Sequence, residues 1–272
     1  MQHFSISPRE MVASFWRNRS LTRALIKREV VGRYRGSVLG ILWSFFNPVF
    51  MLSIYTFFLS VVFKARWHSG NDSKTEFAIV LFAGMLVFNL FAETTNRSPG
   101  LIMSNVNYVK KVVFPLEILP WVSIGSALFH ALISLGAWLI FYTFIFGVPH
   151  ATAFLLPLVI LPLILLTLGL SWFLASLGVY LRDVGQIVGI VTTALMFLTP
   201  VFYRITSLPA EYQQLLMLNP LTPAVQQARA VLVWGKIPDL GYFAVYFLVS
   251  LFVAWLGFAW FQKTRKGFAD VL

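Results

Sequence analysis

The residue types that most often carry out chemistry are few and scattered in this sequence. None of its four histidines belongs to an H-E-x-x-H metal-binding motif, and no G-x-x-x-x-G-K-[ST] phosphate-binding loop is present. The sequence has no cysteine, which excludes a disulfide scaffold and a thiolate metal site. We therefore predict that this chain holds no metal, cofactor or ATP of its own.

The predicted membrane spans, as delimited below, contain no Asp, Glu, Lys or Arg. Ion-coupled transporters usually place an ionisable group near the middle of the bilayer, and a membrane-embedded enzyme needs an acid, a base or a metal. His130 is the one histidine predicted at membrane depth. We interpret it as a structural side chain bonded to a neighbouring helix, because no span supplies an acidic partner. Energy for transport is therefore expected from another protein, and the alternatives are a transferase acting on a lipid-linked sugar or a passive channel.

Aromatic side chains are the most abundant candidates for binding a solute. Phe, Trp and Tyr make up 17% of the chain, and their faces suit the C–H groups of sugar rings. The alternative is that they cover the lipid-facing surface and form belts at the two membrane interfaces. The candidates for a polysaccharide path are Trp43, Phe46, Tyr55, Phe197, Phe202, Tyr203 and Trp234.

The composition predicts that an all-α membrane protein positions these residues. Of the 272 residues, 58% are hydrophobic and 11% are charged, and one span needs about 20 mostly apolar residues. We predict six spans: Ser37–Phe63, Phe77–Ala92, Ile118–Phe146, Phe154–Val179, Val184–Tyr203 and Leu240–Phe261. The second span is short, so its helix is expected to continue through residues 93–96 on a face turned toward protein or water.

The distribution of positive charge predicts the orientation of the chain. Of the 21 Lys and Arg residues, 15 lie in the segments that share one side with both termini. Because such residues are retained in the cytoplasm, both termini are predicted to be cytoplasmic. The net charge of +11 flanks apolar spans instead of forming a soluble basic face, which argues against nucleic acid as a partner. The chain is interpreted as a single transmembrane domain, with a cytoplasmic segment 1–36, a membrane region 37–261 and a tail 262–272.

The N-terminal segment has the pattern of an amphipathic helix. Ser7, Pro8 and Glu10 form a helix start in which the serine caps the helix and the glutamate reaches back to it. Apolar and basic residues then alternate at helical spacing, which predicts a helix lying in the membrane interface next to anionic lipid. The alternative is a solvated basic tail. The residues assigned to the interfacial helix include Phe15, Trp16, Arg17 and Arg19.

The segment 204–239, between spans five and six, is too apolar for a solvated loop. Two short helices are predicted in it, Ala210–Leu218 and Ala224–Trp234, separated by an Asn-Pro stop. Neither is long enough to span a bilayer. We expect a helical hairpin that dips into the outer leaflet, with a surface cap as the alternative.

Four motifs, together with their order and spacing along nearly the whole chain, resemble one protein family. Arg33–Pro48 resembles the entry to span one in the permeases of ABC exporters for O-antigen, capsule and teichoic acid, and Asn105–Glu117 resembles their second cytoplasmic segment. Tyr180–Val184 and Asn219–Pro223 resemble later motifs of that family. The O-antigen permeases are the most similar branch.

This resemblance implies a homodimer in a bacterial inner membrane, with two ABC ATPase subunits that bind ATP and magnesium. It further implies export of a lipid-linked polysaccharide such as O-antigen, a step in lipopolysaccharide biosynthesis. The cytoplasmic segments are then expected to contact the ATPases. The residues expected to couple to the ATPase are Asn105, Asn107, Tyr108, Lys110, Lys111, Phe114, Pro115, Arg182 and Asp183.

Overall fold

The computed structural model describes residues 5–62, 67, 74–110 and 114–272, and these residues form helices and no β-strand. The all-α prediction is thereby confirmed for this part of the chain. The described α-helices are α1 (Pro8–Arg17), α2 (Arg19–Arg33), α3 (Trp43–Thr56), α4 (Lys74–Arg97), α5 (Val106–Lys110), α6 (Leu119–Phe146), α7 (Leu156–Tyr180), α8 (Val184–Leu198), α9 (Ala210–Met217), α10 (Leu221–Leu232), α11 (Leu240–Thr264) and α12 (Phe268–Val271).

Five of the predicted spans correspond to helical segments long and apolar enough to cross a membrane. These segments are Gly40–Leu59, Lys74–Gly100, Leu116–Phe146, Ala151–Tyr180 and Leu240–Val271. The remaining predicted span corresponds to α8, whose 15 residues extend about 22 Å at 1.5 Å per residue. Six spans therefore stay a prediction. The last residue predicted for span one, Phe63, lies outside the described residues.

Helix α4 forms the centre of the bundle. Nearly all of its side chains from Phe77 to Phe91 are buried, and it packs against α3, α6, α7, α8 and α10. The helix continues through Glu93 to Arg97, as expected from the short apolar segment. A helix that is surrounded by other helices is apolar on all faces, and this explains why α4 shows no amphipathic stripe.

Helices α7 and α11 cross at close range, and two glycines make this possible. A Cβ atom at Gly169 would lie 2.5 Å from the carbonyl oxygen of Val253, and one at Gly257 would lie 2.0 Å from the carbonyl oxygen of Gly169. Only hydrogen fits at both positions, so the backbones approach as in other small-residue membrane contacts. This crossing holds the last predicted span against α7.

The predicted N-terminal helix is present as α1. Ser7 accepts a hydrogen bond from the Glu10 backbone N–H at 3.2 Å, while the Glu10 carboxylate pairs with Arg17 at 2.5 Å. The glutamate therefore does not reach back to the serine as the predicted capping box requires. The Phe15 ring lies 4.5 Å from the Trp121 ring, whereas Trp16 is 65% exposed. The location of this helix at a membrane interface stays a prediction.

The predicted hairpin corresponds to helices α9 and α10, and its second helix begins earlier than predicted. The Asn219 side-chain oxygen accepts a hydrogen bond from the Leu221 backbone N–H at 3.0 Å, so the helix starts at Leu221 instead of Ala224. Helix α9 is mostly exposed, whereas α10 is buried against α4 and α7. The depth of the hairpin in a bilayer stays a prediction.

Candidate functional site

A cavity of about 570 Å³ lies between the end of α2 and helices α3, α4 and α6. Its wall combines aromatic rings with amide, hydroxyl and charged groups, which is the composition of a site for a polar solute with apolar faces. The lining residues are Arg33, Tyr34, Trp43, Ser44, Asn47, Pro48, Met51, Tyr55, Met85, Leu86, Asn89, Leu90, Ala92, Glu93, Asn96, Arg97, Ala127, His130, Ala131, Ser134 and Met196.

Charged residues from three helices meet at one side of this cavity. The Glu93 carboxylate of α4 lies 2.8 Å from Nδ1 of His130 on α6 and pairs with Arg33 at the end of α2. The Tyr34 hydroxyl lies 3.1 Å from Nε2 of the same histidine. His130 is therefore bonded to a neighbouring helix as expected, but the expectation that it has no acidic partner was wrong. Helix α4 extends past its apolar segment and brings Glu93 alongside α6. The predicted second span ended at Ala92, so Glu93 was not counted as a possible partner of His130.

A second ion pair continues this cluster toward the N-terminal segment. Arg97 of α4 lies 2.5 Å from the Glu29 carboxylate of α2 and 3.9 Å from Glu93. Burial raises the pKa of the Glu29 carboxyl, while the nearby Arg97 guanidinium acts in the opposite direction. The two pairs join α2 to α4 and α6, so they hold the entry to span one at the edge of the cavity.

The structure brings together four of the seven aromatic residues predicted for a polysaccharide path. Tyr55 lines the cavity, and its ring centroid lies 5.5 Å from that of Phe202. Phe202 in turn lies 5.9 Å from Phe197, and the Tyr203 hydroxyl donates to the Phe197 carbonyl at 3.0 Å. An aromatic series therefore leads from the cavity to the end of α8.

The other three predicted path residues lie outside this series of ring contacts. Trp43 lines the cavity at the start of α3. Phe46 is 46% exposed on the outer surface of the same helix, and Trp234 packs against the core behind the hairpin. The cavity itself is lined by amide side chains that hydropathy did not single out, chiefly Asn47 and Asn89.

The described residues of the segment predicted to contact an ATPase are half-buried or exposed and lie at the end of the bundle that carries α1 and α12. The ring of Tyr108 stacks on that of Phe114 at 4.2 Å, and Arg28 donates to the Tyr108 hydroxyl at 2.6 Å. Asn105 donates to the Leu101 carbonyl, and Asn107 is exposed. Pro115 follows Phe114 before α6, whereas Lys111 lies outside the described residues.

The second predicted contact, Arg182–Asp183, is an exposed turn between α7 and α8. A Cβ atom at Gly178 would lie 2.2 Å from the carbonyl oxygen of Pro99. The end of α7 is therefore in direct contact with the residues that precede the first segment.

A buried ion pair, which sequence reasoning did not find, ties this end of the bundle together. The Glu117 carboxylate accepts hydrogen bonds from Arg265 at 2.7 Å and from Ser14 at 2.8 Å. The Lys110 ammonium donates to the backbone oxygen of Leu272, and Phe268 is fully buried. The N-terminal helix, the predicted ATPase-contact segment and the C-terminal tail are thus connected by polar and apolar contacts.

Comparisons with known proteins place these features in one family. The ABC-2 type transporter family matches residues 20–233. The chain is 28% identical to the O-antigen export system permease protein RfbA of Myxococcus xanthus over 262 residues, covering 96% of this chain and 98% of the relative. It is 23% identical to the protein of the same name from Klebsiella pneumoniae, covering 91% and 93%. It is also 27% identical to the polysialic acid transport protein KpsM of Escherichia coli, covering 85% and 89%.

The family match extends from α2 through the helices around the cavity and the predicted ATPase-contact segment to α10. The relatives are similar over almost their entire length, so the match is not confined to a generic hydrophobic segment. This chain belongs to the ABC-2 type transporter family of membrane proteins.

Proposed function

We propose that this chain is the membrane subunit of an ATP-driven exporter that moves a lipid-linked, O-antigen-like polysaccharide from the cytoplasmic to the outer side of a bacterial inner membrane. ATP and magnesium bind in a separate ATPase subunit. The named relatives are permease or transport proteins for O-antigen and polysialic acid, and they support the substrate class. Two copies of the chain form the permease, with both termini of each copy in the cytoplasm.

The observation that carries the proposal is the aromatic and polar cavity with its continuation along Tyr55, Phe202 and Phe197. Sugar rings pack on aromatic faces, and the neighbouring amide groups hydrogen-bond to hydroxyl groups without binding them tightly. A path of this kind suits a long chain of sugars that must slide. No residue of the path has to act as an acid or a base.

The contacts at the opposite end support a coupling mechanism. ATP binding draws the two ATPase subunits together, and they push on the segment around Tyr108 and on the Arg182–Asp183 turn. The contact between Gly178 and Pro99 passes this movement to α7. The pairs of Glu93 with Arg33 and His130 then yield as the entry to span one moves, while the outer hairpin gates the far end.

The proposal is tested by reconstituting the chain with its partner ATPase in proteoliposomes and following polysaccharide export and ATP hydrolysis separately. Tyr55→Ala is expected to lower export about tenfold, which corresponds to about 1.4 kcal/mol, while ATP hydrolysis continues. Phe154→Ala is the matched control, since it removes an aromatic ring that is 89% exposed and does not line the cavity. Equal export by the two variants would contradict the assigned path. Export without any ATPase would refute the proposed function in favour of a passive channel.

A further inference from the structure

Arg229 of α10 is a fully enclosed cation in the outer hairpin. Its side chain is 2% exposed, and its Nε donates to the Val80 carbonyl of α4 at 3.0 Å. Its two terminal nitrogens donate to the carbonyls of Pro200 and Val201 at 2.5 Å each. The guanidinium carbon also lies 4.4 Å from the centre of the Trp67 ring. One side chain therefore contacts three separate parts of the chain.

A guanidinium that leaves water without an anionic partner destabilises a protein unless its N–H groups are bonded in fixed geometry. Within the described ranges, no carboxylate lies at salt-bridge distance from Arg229. Three backbone carbonyls and the face of the Trp67 ring surround the guanidinium instead of a carboxylate of the described residues. Since such an arrangement is costly to assemble, its effect is geometric specificity more than net stabilisation.

Helix α4 has a matching recess for this guanidinium. A Cβ atom at Gly84 would lie 2.4 Å from the Nη2 atom of Arg229. Only glycine leaves room for the guanidinium at this point of α4, one turn after the carbonyl of Val80. The close approach of Arg229 to Gly84 indicates a specific binding position for the guanidinium.

The other two carbonyls that Arg229 binds, those of Pro200 and Val201, belong to the turn that follows α8. This turn continues directly into Phe202 and Tyr203, which contact Tyr55 and Phe197. We propose that Arg229 is a positioning residue that fastens this turn to α4 and α10 and so places the aromatic residues at the outer end of the polysaccharide path. The hairpin, the centre of α4 and the end of α8 then move as one unit. The assignment of a path rests on the proposed function, whereas the fastening itself does not.

The fastening is tested by cysteine labelling, for which this cysteine-free chain is well suited. Val201→Cys keeps the carbonyl that Arg229 binds and places a thiol where the native side chain is fully buried. In detergent, Arg229→Met is expected to raise the rate of labelling of this thiol by a water-soluble maleimide at least tenfold. Leu156→Cys, buried at the same end of the bundle on α7, is the control and is expected to label at an unchanged rate. An unchanged rate at Val201→Cys, or equal increases at both sites, would overturn the proposal.

A second perturbation separates this contact from general packing. Gly84→Ala alone is expected to raise labelling at Val201→Cys, because its methyl group displaces the guanidinium. In the Arg229→Met background, the same change is expected to add less than twofold, since the group it displaces is gone. Equal fold-increases in both backgrounds would show two independent effects and overturn the proposal.

The consequence for transport is measured in proteoliposomes with the partner ATPase. Arg229→Met is expected to lower export at least fivefold while ATP hydrolysis is retained. Unchanged export in a variant whose Val201→Cys thiol has become reactive would refute the positioning role. Failure of the proposed function is distinguishable, because the unsubstituted complex would then show no ATP-dependent export.

Discussion

The buried pair of Glu117 and Arg265 allows a quantitative prediction. Both side chains are at most 10% exposed, and the carboxylate accepts bonds at 2.7 and 2.8 Å. Removing one partner of a buried ion pair costs about 3–5 kcal/mol, because the other charge stays buried. In Glu117→Ala, Arg265 keeps contacts with the Gln262 side chain at 3.2 Å and the Phe114 carbonyl at 3.4 Å. We therefore expect the lower end, about 3 kcal/mol, which is about a hundredfold change in the folding equilibrium.

The assay is unfolding of the purified chain by SDS in mixed micelles, followed by circular dichroism. The matched control is Glu10→Ala, which breaks a pair with Arg17 whose side chain is 60% exposed. An exposed pair contributes about 0–1 kcal/mol. The double variant Glu117→Leu with Arg265→Met is expected to recover most of the loss, because no unpaired charge is left buried. A loss below about 1 kcal/mol in Glu117→Ala, equal to that of the control, would refute the assignment of a buried pair.

Two further predictions concern the transmission contact and the cavity wall. Gly178→Ala is expected to destabilise the chain by about 1–3 kcal/mol in the same assay, because the added Cβ would lie 2.2 Å from the Pro99 carbonyl oxygen. The control is Gly136→Ala, which has open space around it and is expected to stabilise α6. Equal effects of the two variants would contradict the contact. Glu93→Gln is expected to lower the free energy of unfolding by about 1–2 kcal/mol, because it weakens the charged hydrogen bonds at the cavity. An unchanged unfolding midpoint both in this variant and in His130→Ala would contradict the cluster.

Hydropathy determined much of the architecture. Five of the predicted spans correspond to long apolar helical segments, and the extension of the second span through Glu93 was expected from its short apolar length. These features are predictable because a bilayer excludes charge from each span separately. Local sequence signals also indicated helix ends where a residue close in sequence supplies the hydrogen-bond partner or stops the helix. The Ser7 side chain accepts a hydrogen bond from the Glu10 N–H in the first turn of α1, and the Asn-Pro stop separates α9 from α10.

The resemblance in four motifs identified the family, and the match over residues 20–233 confirmed it. The roles assigned to the path and ATPase-contact residues stay predictions. Tyr55, Phe202 and Phe197 form a series of rings, whereas Phe46 and Trp234 lie elsewhere. Periodicity did not separate these two sets, because a ring that faces lipid and a ring that faces a cavity have the same hydropathy.

Only the tertiary structure decided which polar groups meet. His130 on α6 pairs with Glu93 on α4, Arg265 pairs with Glu117 148 residues away, and Arg229 binds three backbone carbonyls. Each of these contacts depends on where two helices cross, and the crossing is set by close packing between segments distant in sequence. The amino-acid sequence by itself determined five long apolar helical segments and the family. The pairing of buried charges required the packed chain, because the energy of a buried charge depends on the partners that reach it.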